Sequence, residues 1–268
     1  MKIKGLSSLL LTSIATSAQA AIIASTSFEI PTGYDDDYRD TDLTDHVLAT
    51  AANPDSNPGA EDSSFGTVAF TASGGEIGFS TRFVPTDFTG TNGLSDGDEI
   101  GVSTQADDNG GFTDGVQGFK MEDVDGTLIT TFDTVDLTGF SASYLSLDIW
   151  VNSTGWELEN SGALMGDALK ITAAFEDLSV ATLVDTTGED PDDVWGTPGA
   201  PVEGEWTQLT ADLSGHTSVT LAVEFSSNAG SEEIYLDNIV FSDTAPIPEP
   251  TSALLSLIGS VFLIRRRR

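Results

Sequence analysis

Between residues 22 and 241, apolar and polar side chains alternate in short runs separated by turn-forming residues. This is the period of half-buried strands and not of helices. Residues 22–29 place Ala24, Thr26 and Phe28 on one side. Residues 67–72 and 76–84 flank Ser73, Gly74 and Gly75 and read as a hairpin, with Ile77, Phe79, Thr81 and Phe83 facing inward. A strand over 99–104 follows the turn Ser95-Asp96-Gly97-Asp98. Residues 118–122 and 127–133 read as a second hairpin turning at Asp125-Gly126. The clearest alternation is over 143–152: Leu145, Leu147, Ile149 and Val151 face one way, Tyr144, Asp148 and Trp150 the other. Segments 168–175, 180–185, 205–211, 219–225 and 234–241 complete the set.

Short strands joined by long polar loops, without helical periodicity, predict an all-β, two-sheet antiparallel β-sandwich of the jelly-roll kind. The first and last strands are both rich in β-branched and aromatic residues. Pairing them side by side would leave neither as an open edge. The polar loops include 31–64, with Tyr34 and Tyr38 flanking three aspartates, and an acidic stretch ending at Trp195.

The two ends follow other patterns. Lys2 and Lys4 precede an apolar run, 6–14, and then Ala18-Gln19-Ala20, the layout of a secretory signal peptide cleaved after Ala20. At the other end Pro248, Glu249 and Pro250 lead into the apolar residues 251–264, and then Arg265, Arg266, Arg267 and Arg268. As a helix, 251–264 would reach about 21 Å, short of a hydrocarbon core of ~30 Å unless the bilayer thins or the flanks help. Four arginines resist translocation, so the tail reads as a short transmembrane stop with everything before it outside. Triplet, apolar run and terminal arginines together resemble the PEP-CTERM sorting signal of exopolysaccharide-producing Gram-negative bacteria. The resemblance implies recognition by an exosortase, export machinery, a membrane contact through the tail, and a destination in the cell envelope, outer surface or extracellular matrix. The expected organisation is a signal peptide at 1–20, a β-sandwich at 21–243 and a sorting tail at 244–268.

Charge then narrows the partners. The chain has 10 basic and 43 acidic residues, net −33, yet only Arg39, Arg82, Lys120 and Lys170 are basic between the two ends. Such a body repels nucleic acid and anionic lipid, and attracts divalent cations. It suits a saline habitat equally well. There is no cysteine, so stability comes from burial, ions or both.

Ser27-Phe28-Glu29 opening the body, and the run Ile234-Tyr235-Leu236-Asp237-Asn238-Ile239-Val240-Phe241 closing it, resemble the ends of carbohydrate-binding jelly rolls with a galactose-binding-like fold. That resemblance implies a structural Ca²⁺ between first and last strands, held by Glu29 and Asp237. Hard carboxylate oxygens suit that ion, whereas an Asp237 bonded to a nearby backbone amide would need none. Trp156 and Trp195 in loops, with Tyr34 and Tyr38, are candidate platforms for sugar rings; the two tryptophans would serve equally as caps folded back on the sandwich. Trp150 and Trp206 read as core or sheet-face residues.

Catalysis finds little footing. No Cys–His pair is possible, only His46 and His216 are available as imidazole bases, and neither a Gly-x-Ser-x-Gly nor a His-Glu-x-x-His motif occurs. The sequence therefore predicts a non-enzymatic polysaccharide-binding envelope or matrix protein with structural calcium. The alternatives are a secreted glycan hydrolase or lyase using carboxylates, and a structural matrix protein without a ligand.

Overall fold

The alternating segments form strands throughout the computed structural model, which describes residues 21–30, 45–48, 67–85, 94, 99–104, 110–124, 126–153, 156–157, 166–194 and 202–246. Ala18 and Ala20 of the expected signal peptide, Pro248 to Arg268 of the expected sorting tail, and Tyr34, Tyr38 and Trp195 lie outside the described residues. Among those described, no helix is long and apolar enough to cross a membrane.

The strands are β1 (Ile22–Thr26), β2 (His46–Val47), β3 (Ala69–Phe70), β4 (Phe79–Pro85), β5 (Glu99–Ser103), β6 (Gly118–Glu122) and β7 (Gly126–Phe132), followed by β8 (Val135–Asp136), β9 (Tyr144–Ser153), β10 (Ala168–Phe175) and β11 (Val180–Asp185). A one-turn helix α1 (Pro191–Val194) precedes β12 (Thr207–Asp212), β13 (Ser218–Ser227) and β14 (Glu232–Ser242). They make two antiparallel sheets. One runs β12-β9-β14-β6-β5, with β1 also on β14; the other runs β11-β10-β13-β7-β4-β2, with β3 on β4 and β8 on β13.

First and last strands do pair. β1 lies along the C-terminal half of β14, from Ile22 opposite Ser242 to Thr26 opposite Ile239. β6 takes over the same edge of β14 from Leu236, opposite Phe119, to Glu233, opposite Glu122. The handover falls where the ladder between β14 and β9 shifts register, between Asp237 and Val240. Asn238 there has φ 48°, a left-handed conformation that asparagine tolerates better than most residues. The bulge keeps Leu236 and then Ile239 in the core, with Tyr235 and Asp237 turned to the outer face.

The hairpin at 67–84 forms as expected, with Ala69 opposite Ser80 and Gly74 and Gly75 at positive φ. The hairpin expected over 118–133 does not form. β6 joins β5 and β14, whereas β7 joins β4 and β13, so the chain crosses between the sheets at this point. Val124, fully buried, fills the crossing, and Asp123 turns it at φ 46°. An Asp-Gly pair marks a tight bend but does not say which sheet the next strand joins. Burying Phe119 and Met121 from one side and Leu128 and Phe132 from the other requires the crossover.

The core lies between the sheets. Leu145, Leu147, Ile149 and Val151 of β9 face Leu169 and Ile171 of β10 and Leu221, Val223 and Phe225 of β13. Phe28 anchors one end, its ring centroid 5.7 Å from both Phe79 and Phe119 and 6.2 Å from Phe132. Phe28→Ala should cost ~3–5 kcal/mol, the usual range for deleting a buried ring, and lower the melting temperature by roughly 10 °C. Thermal unfolding followed by far-ultraviolet circular dichroism checks this; a loss below about 1 kcal/mol would show that the aromatic cluster is not a keystone.

Candidate functional site

On the outer face of the six-stranded sheet, strand alternation stacks Trp150 of β9, Tyr235 of β14 and Lys120 of β6 in one row across three strands. Trp150 and Tyr235 meet edge to face at 5.6 Å, and the Lys120 ammonium stands 5.6 Å from the centre of the Tyr235 ring. All three are buried, although they face away from the core. Their nearest cover is the segment 110–117. Its Phe112 ring lies 6.1 Å from Tyr235 and 6.5 Å from Trp206, and Trp206 Nε1 donates to the Gly111 carbonyl at 2.8 Å. Phe112 can lie this low because Gly118 is beneath it: a Cβ there would come within 2.6 Å of the ring. Phe112 and Trp206 remain half-buried, with exposed Gln208 next to them.

Glu29 and Asp237, the pair expected to share calcium, meet on this same segment from its two ends. Asp237 Oδ2 accepts from the Thr113 amide (2.7 Å), the Thr113 hydroxyl (2.9 Å) and the Asp114 amide (2.8 Å); Oδ1 accepts from the Asn238 amide at 2.7 Å. Glu29 Oε1 accepts from the amides of Val116 (2.6 Å) and Gln117 (2.9 Å). Gly115, at φ 74°, sits against Glu29 so closely that any Cβ would collide with the carboxylate. In the structure, then, both carboxylates clamp one loop onto the first and last strands through its amides. Burial pushes Asp237 up to about 6 against the pull of those donors.

Lys120 is held by three carboxylates: Glu99 and Glu122 at 2.5 Å and Glu233 at 3.4 Å. Burial works against the ammonium, but the bonds to Glu122 and Glu99 outweigh it and keep it protonated, raised above the ordinary lysine value. Three acids around one base leave negative charge in excess. Burial first, and Glu233 and Glu99 in addition, push Glu122 up to about 7 although Lys120 pulls it down. Beside this group, Trp150 Nε1 is buried with no hydrogen-bond partner among the described residues. Further along the face, Asp148 accepts from Gln208 (3.2 Å) and Asn238 (3.1 Å).

Trp156, expected as a loop platform, belongs to the core. It is 9% exposed and packs against Phe225 at 6.4 Å, so its ring offers no open face. The aromatic residues gathered at the outer face are instead Trp206, Phe112, Trp150 and Tyr235. Trp150 falls on the polar phase of its strand, between Ile149 and Val151, which both point into the core. That phase is the one signal in the sequence for this face. His46 lies in β2, paired with Phe83, next to an Asp45–Arg82 ion pair.

No family model matches the chain, and no curated protein matches it. Among solved structures it is similar to the CBM22-1–GH10 modules of xylanase 10B from Clostridium thermocellum, complexed with xylohexaose: 14% identity, TM-score 0.31, covering 57% of this chain and 26% of that one. It is similar also to the K1 cleaved adhesin domain of Lys-gingipain from Porphyromonas gingivalis (14%, TM-score 0.36, 62% and 94%). A carbohydrate-binding module of family 29 matches at 11% identity and TM-score 0.29, over 64% and 97%. The chain thus spans about a quarter of the xylanase chain. Likenesses this distant carry no functional inference.

Glu122 supplies a pH test. Its carboxyl binds a proton more tightly in the folded chain than in the unfolded one, so its contribution is greatest below about pH 4.5 and is lost as pH rises to about 7. Glu122→Gln should flatten that part of the melting-temperature profile. An unchanged slope between pH 4.5 and 7 would mean that Glu122 is not strained by its neighbours.

Proposed function

We propose that the chain is a non-enzymatic polysaccharide-binding protein of the cell envelope or extracellular matrix, built as a jelly-roll sandwich and binding through the outer face of its six-stranded sheet. The observation that carries this reading is the half-buried pair Phe112 and Trp206, fixed 6.5 Å apart by the bond from the Trp206 indole to the Gly111 carbonyl. Flat aromatic faces stack on the C–H faces of sugar rings, while Gln208 and the carboxylates nearby accept hydroxyl protons. Trp195, Tyr34 and Tyr38 are further candidate sugar contacts.

Export by way of the N-terminal residues ending at Ala18 and Ala20, and exosortase processing near Pro248, Glu249 and Pro250, belong to the same proposal. They rest on the order of charged, apolar and small residues at the two ends. A structural calcium between Glu29 and Asp237 is the part of the reading that the resemblance implies, and it would compete with the amides these carboxylates already hold. An ion there would take lone pairs now turned to amides, so the loop would be held through the ion in place of those bonds.

Affinity electrophoresis in gels containing envelope polysaccharides tests the binding. Retardation should fall by roughly tenfold in apparent affinity for Trp206→Ala, the loss of one good stacking contact, and hold for Trp156→Phe. Equal retardation of Trp206→Ala and the parent chain would overturn the assignment of the face; release of reducing sugar would point to the hydrolase or lyase.

A further inference from the structure

A second group of acids lies at the opposite end of β14 from the β1 pairing. Glu157 follows the end of β9, Asp167 precedes β10, and Glu232 is the first residue of β14. The backbone clasps the first two together: the Asp167 amide donates to the Glu157 carbonyl at 2.8 Å, and the Glu157 amide donates to Asp167 Oδ2 at 2.6 Å. Glu232 is placed by its ladder position opposite Ser153 and by a bond from the Asn228 amide to its Oε2 at 3.3 Å. As a result one oxygen from each of the three carboxylates lies within 4.8 Å of the others.

What sets this trio apart from the other acids is how little it is compensated. Asp167 and Glu232 are each 1% exposed. Among the described residues, Asp167 Oδ1 and Glu157 Oε2 are buried with no hydrogen-bond partner. Among the described residues none of the three forms an ion pair, whereas the Glu99–Glu122–Glu233 group closes around Lys120. Asp123 adds a further negative charge that Glu232 feels. A shared proton would relieve one pair of carboxylates, but it would leave the third without a counter-charge.

We propose that Glu157, Asp167 and Glu232 form a binding site for a hard divalent cation, calcium, which fastens the two ends of the 157–167 connection to the start of the last strand. All three ligands are carboxylate oxygens and neither imidazole nor thiolate is among them, which favours calcium over softer metals. Calcium accepts 6–8 oxygens in irregular geometry, so water and backbone carbonyls can complete the shell. Burial, with Glu232 and Glu157 close by, pushes Asp167 up to about 8. This site is independent of the polysaccharide reading and of any ion at Glu29 and Asp237.

Terbium, a luminescent stand-in for calcium, tests the site on the full-length chain, because Trp156 is the residue next to Glu157 and would sensitise its emission. The parent chain should give tryptophan-sensitised emission that millimolar calcium quenches, and calcium should raise its melting temperature by about 5 °C over the value in chelator. Asp167→Asn and Glu232→Gln should each cut the emission at least tenfold and reduce the calcium-dependent rise to whatever an ion at Glu29 and Asp237 supplies. Both should melt in chelator no lower than the parent, because each relieves repulsion. Asp237→Asn should melt lower yet keep the terbium signal, which separates this site from the clamp on 110–117. The proposal is overturned if Asp167→Asn keeps parent-level emission, if calcium leaves the parent's melting temperature unchanged, or if both trio variants melt far below the parent in chelator.

Discussion

The structure turns on β14. It is hydrogen-bonded to β9 along one edge and to β6 and then β1 along the other, so three strands from distant parts of the sequence depend on its register. Against β9 that register shifts between Asp237 and Val240, at the point where β6 gives way to β1 on the other edge, and the β1 ladder shifts again between Ile22 and Ala24. A bulge here re-aims side chains as well as accommodating an extra residue. It returns Ile239 to the core, while ordinary alternation sets the preceding Asp237 on the outer face, where its carboxylate takes hold of Thr113 and Asp114. Fold and candidate site therefore share one strand.

The outer face is organised by charge as much as by aromatic packing. Placing Lys120 over a tyrosine ring in a buried position would be costly for a lone ammonium; three carboxylates make it tolerable. The arrangement is rigid because every partner is fixed on a strand: Glu99 on β5, Glu122 on β6 and Glu233 on β14. Such a floor positions Phe112 and Trp206 above it without demanding order from the longer loops. Among the described residues the Glu157–Asp167–Glu232 trio has no such lysine, and that asymmetry between two buried acidic groups is the reason to assign them different tasks.

Much of the fold was legible in the alternation of side chains. The two phases of β9, the Ser73-Gly74-Gly75 hairpin and the pairing of first and last strands all follow from burial of one face and protection of edges. The crossing at Val124 was not, because a local Asp-Gly signal carries no information about which sheet receives the next strand. The site was legible only in part. Glu29 and Asp237 stand out as acids within apolar runs, and they do meet on one segment. Trp156 looked like a loop aromatic because the residues around it are polar, but its contact with Phe225 comes from a strand about seventy residues away that no local pattern reveals. Asp167 and Glu232 were indistinguishable among 43 acids until the fold brought them together.

The central claim is that the outer face of the six-stranded sheet, with Trp206 at its rim, is where the chain meets a glycan. It is tested most directly by titrating the isotopically labelled protein with envelope oligosaccharides and following the tryptophan indole resonances by NMR. The Trp206 indole N–H, bonded to the Gly111 carbonyl, should shift progressively with added ligand while the core indole of Trp156 stays in place. Saturable binding that leaves the Trp206 resonance unmoved would contradict the account.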